Sequence, residues 1–231
     1  KADFVIETGL SNKAATPTSL GDRGAHLSLS GGFGTVQFGA GVLSAAFFGR
    51  AATDPTGTSN YAIAKYAGST RNNSSINYTS PNMGGAVVRY STVLAADNGT
   101  TDTALTSMSV VYSAGALTIG AAAADNGLTD GDGTSIGAAY NLGVAKVFAN
   151  RVTAGATATV AKTKYSSFGF SAPMGAVTLQ ADFRSTDDSD ADMSMVAAVY
   201  ALSKSTSMTA YTQKVKGAAD ASYGVGLRKN F

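Results

Sequence analysis

The 231-residue chain has no cysteine, no tryptophan, one histidine and few charged residues. The absence of cysteine excludes a disulfide framework and thiolate chemistry. Charged residues make up 14% of the chain, and its net charge of +2 is too small to indicate nucleic-acid binding. No uninterrupted apolar run approaches the ~18 residues of a membrane-spanning helix. These absences exclude a helical membrane protein, whereas a membrane-spanning β-structure stays possible.

Apolar residues alternate with small or charged residues along many segments of the chain. Near the C-terminal end, Tyr223, Val225 and Leu227 share one parity with the final residue, Phe231, whereas two glycines and Arg228 occupy the other. A period of two predicts a strand with one apolar face. Because the other face is small or charged in segment after segment, the pattern favours a barrel with lipid outside and water inside.

The alternation predicts a single all-β domain over residues 1–231, built as an antiparallel up-and-down barrel of about fourteen strands. Tight turns and longer polar loops alternate between the predicted strands, which is typical of a barrel threaded through a membrane. The predicted strands are Ala2–Gly9, Gly24–Ser30, Thr35–Leu43, Ser74–Thr79, Ala86–Val93, Ser107–Ser113, Ala116–Ala124, Thr134–Asn141, Val144–Val152, Thr163–Ser171, Ala176–Ser185, Met193–Leu202, Ser207–Val215 and Ser222–Phe231.

One connection, Ser44 to Asn73, is too long for an ordinary loop. It contains several aromatic and aliphatic residues, so we expect it to pack against the inner wall of the barrel. Ser59 is a candidate N-cap of a short helix in this connection, and Gly68 is a candidate end of that helix.

Five stretches of the chain resemble the trimeric general porins of Gram-negative outer membranes, and they occur in the family's order. They are Leu27–Gly39, Ser75–Gly85, Gly169–Gly175, Tyr200–Thr206 and Gly224–Phe231. The resemblance implies a 16-stranded transmembrane barrel, a homotrimer in the outer membrane and a third loop, here 44–73, that folds into the lumen as the constriction. It also implies that Phe231 is the C-terminal signal for barrel assembly.

The chain departs from the family pattern in three places. The family's opening hairpin is missing, so the fourteen predicted strands match its strands three to sixteen, and we expect the chain to be incomplete. Ala40 stands where the family often has an arginine of its constriction ladder. The acidic Pro-Glu-Phe-Gly signature of some members is absent, and Asp54 is the only acid in the long loop.

Strand parity and the long loop together predict which charged residues line the pore. Basic residues outnumber acids among them, so we predict a weak preference for anions. A solvated rim charge or a wall ion pair is the alternative for each arginine, and the parity of Arg151 is ambiguous. The basic candidates are Arg89, Arg184 and Arg228 on the wall and Arg50, Lys65 and Arg71 on the loop; the acidic ones are Asp3, Glu7, Asp54 and Asp182.

The outward surface is predicted to meet outer-membrane lipid. Lys162 and Lys164 share parity with the outward Phe168 and Phe170 and lie at a loop end. Their side chains could therefore extend to the headgroups and meet lipopolysaccharide phosphates. Ordinary solvated loop charges are the alternative.

No motif in the sequence predicts a catalytic residue, a cofactor or a metal. The only histidine, His26, is not accompanied by a nucleophile elbow. The acidic loops lack the spacing of a calcium hand, so ordinary solvated loops are expected, with a loop-bound divalent cation as the alternative. The predicted function is a water-filled channel for passive diffusion of small hydrophilic solutes and ions. The alternatives are a structural or adhesive outer-membrane barrel without an open pore, an outer-membrane enzyme and a soluble β-sandwich.

Overall fold

The computed structural model describes residues 1–8, 20–56, 61–63, 65–94, 105–157, 159–187 and 191–230. Fourteen strands form one antiparallel sheet in which each strand pairs with the next sheet strand along the chain. The strands are β1 (Ala2–Glu7), β2 (Gly24–Gly31), β3 (Gly34–Ala40), β6 (Ser75–Thr79), β7 (Ala86–Val93), β8 (Thr106–Ala114), β9 (Leu117–Asp125), β10 (Gly133–Asn141), β11 (Lys146–Ala154), β12 (Thr163–Met174), β13 (Val177–Thr186), β14 (Met193–Ser203), β15 (Thr206–Val215) and β16 (Ser222–Lys229). The prediction of fourteen strands is thus confirmed, and β1 and β16 are the two edges of the sheet in its described part.

The third predicted strand, Thr35–Leu43, is divided in two by Gly41. This glycine has a φ of 71°, and a Cβ added to it would lie 2.2 Å from the carbonyl oxygen of Arg23. Only glycine accommodates both the left-handed backbone and the close approach. Beyond it, Val42–Leu43 (β4) pairs with Arg71–Asn72 (β5), and this two-strand ribbon forms the base of the long loop.

The helix of the long loop lies earlier in the sequence than predicted. Helix α1 spans Ala45–Ala51, and the side-chain oxygen of Ser44 caps it by accepting a hydrogen bond from the Phe47 amide at 3.1 Å. Ser59 lies outside the described residues, and residues 61–63 and 65–68 are not helical. The prediction missed Ser44, which directly follows β4 and is the N-cap residue of the helix. Within the described ranges no helix is long and apolar enough to cross a membrane.

The two faces of the sheet differ in the way that the alternation predicts. On β13, the outward Phe183 is 48% exposed, whereas the next residue towards the N-terminus, Asp182, is 1% exposed on the inner face. Large apolar side chains on the outer face keep this exposure along the sheet, and the last strand carries Leu227 at 71%. A curved sheet with an apolar outside and a polar inside is the arrangement of a transmembrane barrel.

The structure also fixes two registers that parity left open. Asn150 and Phe148 face inwards on β11, with 8% and 5% exposure. Arg151 directly follows Asn150 on this strand and therefore faces outwards. On β14, Met195 and Ala197 face inwards and are buried. The inner residues of β14 pack against Tyr61 and Ile63 of the long loop, which a pattern based on a water-facing interior does not anticipate.

Candidate constriction site

Helix α1 lies directly on the inner face of β8, β9 and β10, where the wall residues are small. A Cβ added to Gly120 on β9 would lie 2.1 Å from the carbonyl oxygen of Gly49 in the helix. A Cβ added to Gly49 would in turn lie 2.6 Å from the Cβ of Ala122. The helix and the wall therefore approach each other almost backbone to backbone, and larger residues at these positions would separate them.

Wall hydroxyl groups satisfy the first amides of the helix. The Ala45 amide donates to the Ser91 side-chain oxygen on β7 at 2.8 Å, and the Ala46 amide donates to that of Ser107 on β8 at 3.4 Å. Amides at a helix start have no partner within the helix, so these serines both hold the helix and complete its hydrogen bonding.

The end of the helix is held by Asn150 on β11. Its side-chain amide donates to the Thr53 carbonyl oxygen at 2.9 Å, and its carbonyl oxygen accepts the Thr53 hydroxyl. Gly137 on β10 makes room for this contact, because a Cβ there would lie 2.6 Å from the Thr53 hydroxyl oxygen. Both groups of Asn150 are thus used in positioning the loop.

Beyond the helix, the loop reaches the opposite part of the wall through Tyr61. Its ring stacks on that of Tyr211 on β15 at 5.3 Å, and its hydroxyl donates to Gln180 on β13 at 2.7 Å. The side-chain amide of Gln213 donates to the Tyr61 carbonyl oxygen at 2.5 Å. The described residues of the 44–73 loop therefore contact the inner wall from β7 to β15.

Four of the predicted pore-lining residues lie buried between the loop and the wall. Arg50 is 1% exposed, Asp54 is 4%, Asp182 is 1% and Arg184 is 8%. The Arg184 guanidinium donates to the Ile63 carbonyl oxygen at 2.8 Å. The expectation that these side chains face open water is corrected by their burial, because the loop that brings Arg50 and Asp54 into the lumen also covers Asp182 and Arg184.

These four buried residues form one neutral cluster of two guanidinium and two carboxylate groups. Asp182 lies within electrostatic range of Arg50, Asp54 and Arg184. Asp54 also accepts hydrogen bonds from the Thr56 amide at 2.8 Å and the Thr56 hydroxyl at 2.6 Å. Because two positive and two negative groups lie together, the cluster adds little net field to the passage.

Tyr66 borders this cluster from the loop side. Its ring stacks on that of Phe47 in α1, at 5.3 Å between centroids. The pKa of Tyr66 is raised to about 12, mainly by burial and also by the charge of Asp54, while the charge of Arg50 opposes the rise. The phenol therefore stays neutral at any physiological pH and contributes packing rather than charge.

The other predicted pore-lining residues lie closer to water. Arg89 on β7 places its guanidinium 4.3 Å from the centre of the Phe48 ring in α1. Lys65 is exposed, with its ammonium 5.8 Å from the centre of the Tyr165 ring. Arg228 is exposed on β16, on the same face as Gly224, which lies against the ring of the inward Tyr211.

A second charged group lies where the loop leaves the wall. Glu7 on β1 forms ion pairs with Arg23 and Arg71, each at 3.3 Å. Arg71 also donates to the Gly41 carbonyl oxygen at 2.5 Å. Arg23 was not among the residues predicted from sequence, because its position at a strand start gave no inward or outward parity. Phe231 lies outside the described residues.

The inner faces of β2, β3 and β6 carry small polar groups, of which Ser28, Ser75 and Asn77 are buried. On β2 and β3, Ser30 and Thr35 share a hydrogen bond at 2.9 Å, and Gln37 donates to Ser28 at 3.0 Å. On β6, Asn77 donates to Ser75 at 2.8 Å. Polar groups on the inner faces of the strands are typical of a porin-type channel.

A family model described as Gram-negative porin matches residues 1–220. The chain belongs to this porin family. The predicted family and the barrel fold are thereby confirmed.

Several solved porin structures are similar to this porin in fold. The anion-selective porin from Comamonas acidovorans superposes with a TM-score of 0.74 at 24% identity, over 100% of this chain and 84% of that chain. An engineered variant of the Rhodopseudomonas blastica porin superposes with a TM-score of 0.76 at 18% identity, over 100% of this chain and 89% of that chain. Among curated protein sequences, none matches.

Proposed function

We propose that this porin is a passive diffusion channel of the Gram-negative outer membrane, through which small hydrophilic solutes and ions move down their gradients. The observation that carries the proposal is the path of residues 44–73 over one part of the inner wall. Loop and wall are joined by bonds at Ser91, Asn150 and Gln213, while β2, β3 and β6 keep polar inner faces. A loop that narrows a lumen without filling it produces a selective aqueous passage.

A weak preference for anions follows from which charges remain outside the buried cluster. Arg50, Asp54, Asp182 and Arg184 compensate one another, and Glu7 is engaged by two arginines. Arg228, Lys65 and Arg89 then dominate the field along the passage, which favours anions. The anion selectivity stated for the Comamonas porin, a protein of the same fold, agrees with this proposal.

Planar bilayer recordings test both statements. The reconstituted protein in a tenfold potassium chloride gradient is expected to give stable conductance steps. The sign of its reversal potential is expected to show a preference for chloride. Clear cation selectivity would overturn the anion preference alone. A folded, membrane-inserted protein without conductance would favour the alternative of a structural or adhesive barrel.

The assembly state and the lipid partners belong to the same proposal. We expect a homotrimer, as the family resemblance implies, and an outer surface in contact with lipid and lipopolysaccharide. Crosslinking in outer-membrane vesicles, followed by electrophoresis without heating, is expected to give a trimer band; a monomer under all conditions would contradict it.

A further inference from the structure

Helix α1 presents one face to the wall and another to the interior of the barrel. Its buried, wall-facing residues are Ala45, Ala46, Gly49 and Arg50. With 3.6 residues per turn, Phe47 and Phe48 lie on the other side of the helix, and both residues stay partly exposed. The helix therefore turns two phenyl rings away from the wall that holds it.

These two rings and that of Tyr66 form one aromatic surface. The Phe47 ring meets the Phe48 ring edge to face, at 5.5 Å between centroids, and stacks on the Tyr66 ring at 5.3 Å. Tyr66 is also partly exposed. Aromatic rings attract further rings in offset-stacked or edge-to-face contacts, so this surface suits an aromatic partner better than an aliphatic one.

Arg89 on β7 borders the aromatic surface with a positive charge. Its guanidinium carbon lies 4.3 Å from the centre of the Phe48 ring. Within the described ranges this guanidinium forms no hydrogen bond or ion pair, whereas those of Arg50, Arg71 and Arg184 donate to protein oxygens. A guanidinium binds a carboxylate through two N–H groups at its edge, so Arg89 has donors available for an anionic solute.

The groups around Arg89 favour an anion rather than a cation. The residues paired with it across the sheet are the uncharged Thr79 on β6 and Ser109 on β8. Asp54, whose charge reaches Tyr66, is 4% exposed and belongs to the neutral cluster. Neither the neighbouring strands at this level nor the loop acid therefore opposes a carboxylate at Arg89.

We propose that Arg89 and the aromatic surface form a binding site for aromatic carboxylates that pass through the barrel. The carboxylate accepts hydrogen bonds from the Arg89 guanidinium, and the ring of the solute packs on Phe47 and Phe48. The inference rests on the proposed channel function and adds a preferred class of solute to it. A small inorganic anion would gain little from the rings, and an uncharged aromatic solute would gain little from the guanidinium.

A saturation-transfer NMR titration of the protein in detergent tests the site, with benzoate as the probe. Binding to protein-free micelles is subtracted, and high ionic strength screens long-range fields. Arg89→Gln is expected to weaken benzoate binding about tenfold, because a charged hydrogen-bond donor is lost. Phe48→Leu keeps an apolar side chain and is expected to weaken binding about threefold, because the contact between rings is lost.

Arg228→Gln is the matched control for the loss of charge. Arg228 is exposed on β16, whereas α1 lies on β8, β9 and β10. The substitution removes the same charge as Arg89→Gln but no group of the aromatic surface. It should therefore leave benzoate binding nearly unchanged.

Two further probes separate the contributions of ring and charge. Cyclohexanecarboxylate carries the charge without an aromatic ring, and benzyl alcohol carries the ring without the charge, so both are expected to bind more weakly than benzoate. Equal binding of cyclohexanecarboxylate, unchanged benzoate binding in Arg89→Gln, or an equal loss in Arg228→Gln would each overturn the assignment. Conductance is recorded separately: ion conductance without benzoate binding contradicts only this site, whereas benzoate binding without conductance contradicts only the proposed channel.

Discussion

The inner wall of this porin has two parts with different roles. On the covered part, from β7 to β15, glycine, alanine and serine let the loop approach to backbone distance, and several polar wall groups, Ser91, Ser107, Asn150, Gln180 and Gln213, have loop partners. On the other part, β2, β3, β6 and β16, short polar groups bond to one another, and several of them are buried, whereas Arg228 on β16 is exposed. The same alternating pattern therefore produces a binding surface for the chain's own loop in one region and a channel lining in the other.

The largest effect is expected from a side chain placed where the covered part has no room. Gly120→Val would drive a branched side chain into the Gly49 carbonyl oxygen, 2.1 Å from the Cβ position. We expect a loss of ~1–3 kcal/mol in the free energy of unfolding, as for overpacking. We also expect a smaller single-channel conductance, since α1 is pushed away from the wall into the passage. Denaturant titration in detergent and bilayer recordings measure the two quantities.

Gly226→Val is the matched control for this substitution. Gly226 lies on the inner face of β16, and a Cβ there meets nothing within 4 Å. Its substitution should leave the free energy of unfolding nearly unchanged. Any effect on the passage should be a narrowing. A pair of variants with equal effects would show that the two parts of the wall do not differ in the way described.

A second comparison uses two asparagines of the inner wall. Asn150→Ala leaves the Thr53 carbonyl and hydroxyl without their wall partner, whereas Asn77→Ala removes a bond between two wall side chains. The first is expected to cost ~1–3 kcal/mol, because buried polar groups of the loop lose their hydrogen bonds. It should also increase the current noise of open channels, while Asn77→Ala should not. Noise that rises equally in both variants would exclude Asn150 as a specific anchor.

The sequence predicts the position of a residue well when its environment is set locally, and poorly when it is set by a partner that is distant in the chain. The strands and the outward apolar face follow from the period of two, because lipid selects every second residue locally. Asn150, Gln180 and Gln213 were not predicted as loop anchors, since their partners are more than ninety residues away in the chain. The predicted position of the loop helix was wrong for the same reason. Gly120, the wall glycine that leaves room for α1, belongs to a strand that is distant in the chain.

The charged residues follow a similar rule. Parity correctly separates the inward Arg184 from the outward Phe183, but it does not distinguish a side chain facing water from one covered by the loop. Arg151 was ambiguous because its strand carries Phe148 on the inner face, against the usual pattern. Knowledge of the loop path, which depends on tertiary contacts, is needed to assign both.

The third prediction compares a covered arginine with an open one. Arg228→Gln removes an exposed inward charge and is expected to shift the reversal potential towards cations. Arg184→Gln removes a charge that is 8% exposed and compensated by Asp182, so it should change selectivity less. It should instead cost ~1–3 kcal/mol of stability, because the Ile63 carbonyl oxygen loses its donor. Equal shifts of the reversal potential would mean that the buried cluster does contribute to the field along the passage.

The smallest effect concerns the rim above the covered part, where two half-buried carboxylates, Asp187 and Asp192, lie at the ends of the β13–β14 connection. The hydrogen bond from Arg151 lowers the pKa of Asp187, and that from the Thr186 amide lowers the pKa of Asp192. Since both pKa values lie below the ordinary ~3.9 of an aspartate, their contribution to stability is complete above that pH and is lost as the pH falls through the lowered values. Pepsin cleavage between Thr186 and Met193 should therefore stay slow at pH 5 and accelerate below about pH 4. Asp187→Asn should make cleavage faster at pH 5 and reduce its acid dependence; a variant with the wild-type profile would show that the Arg151 pair does not hold this connection.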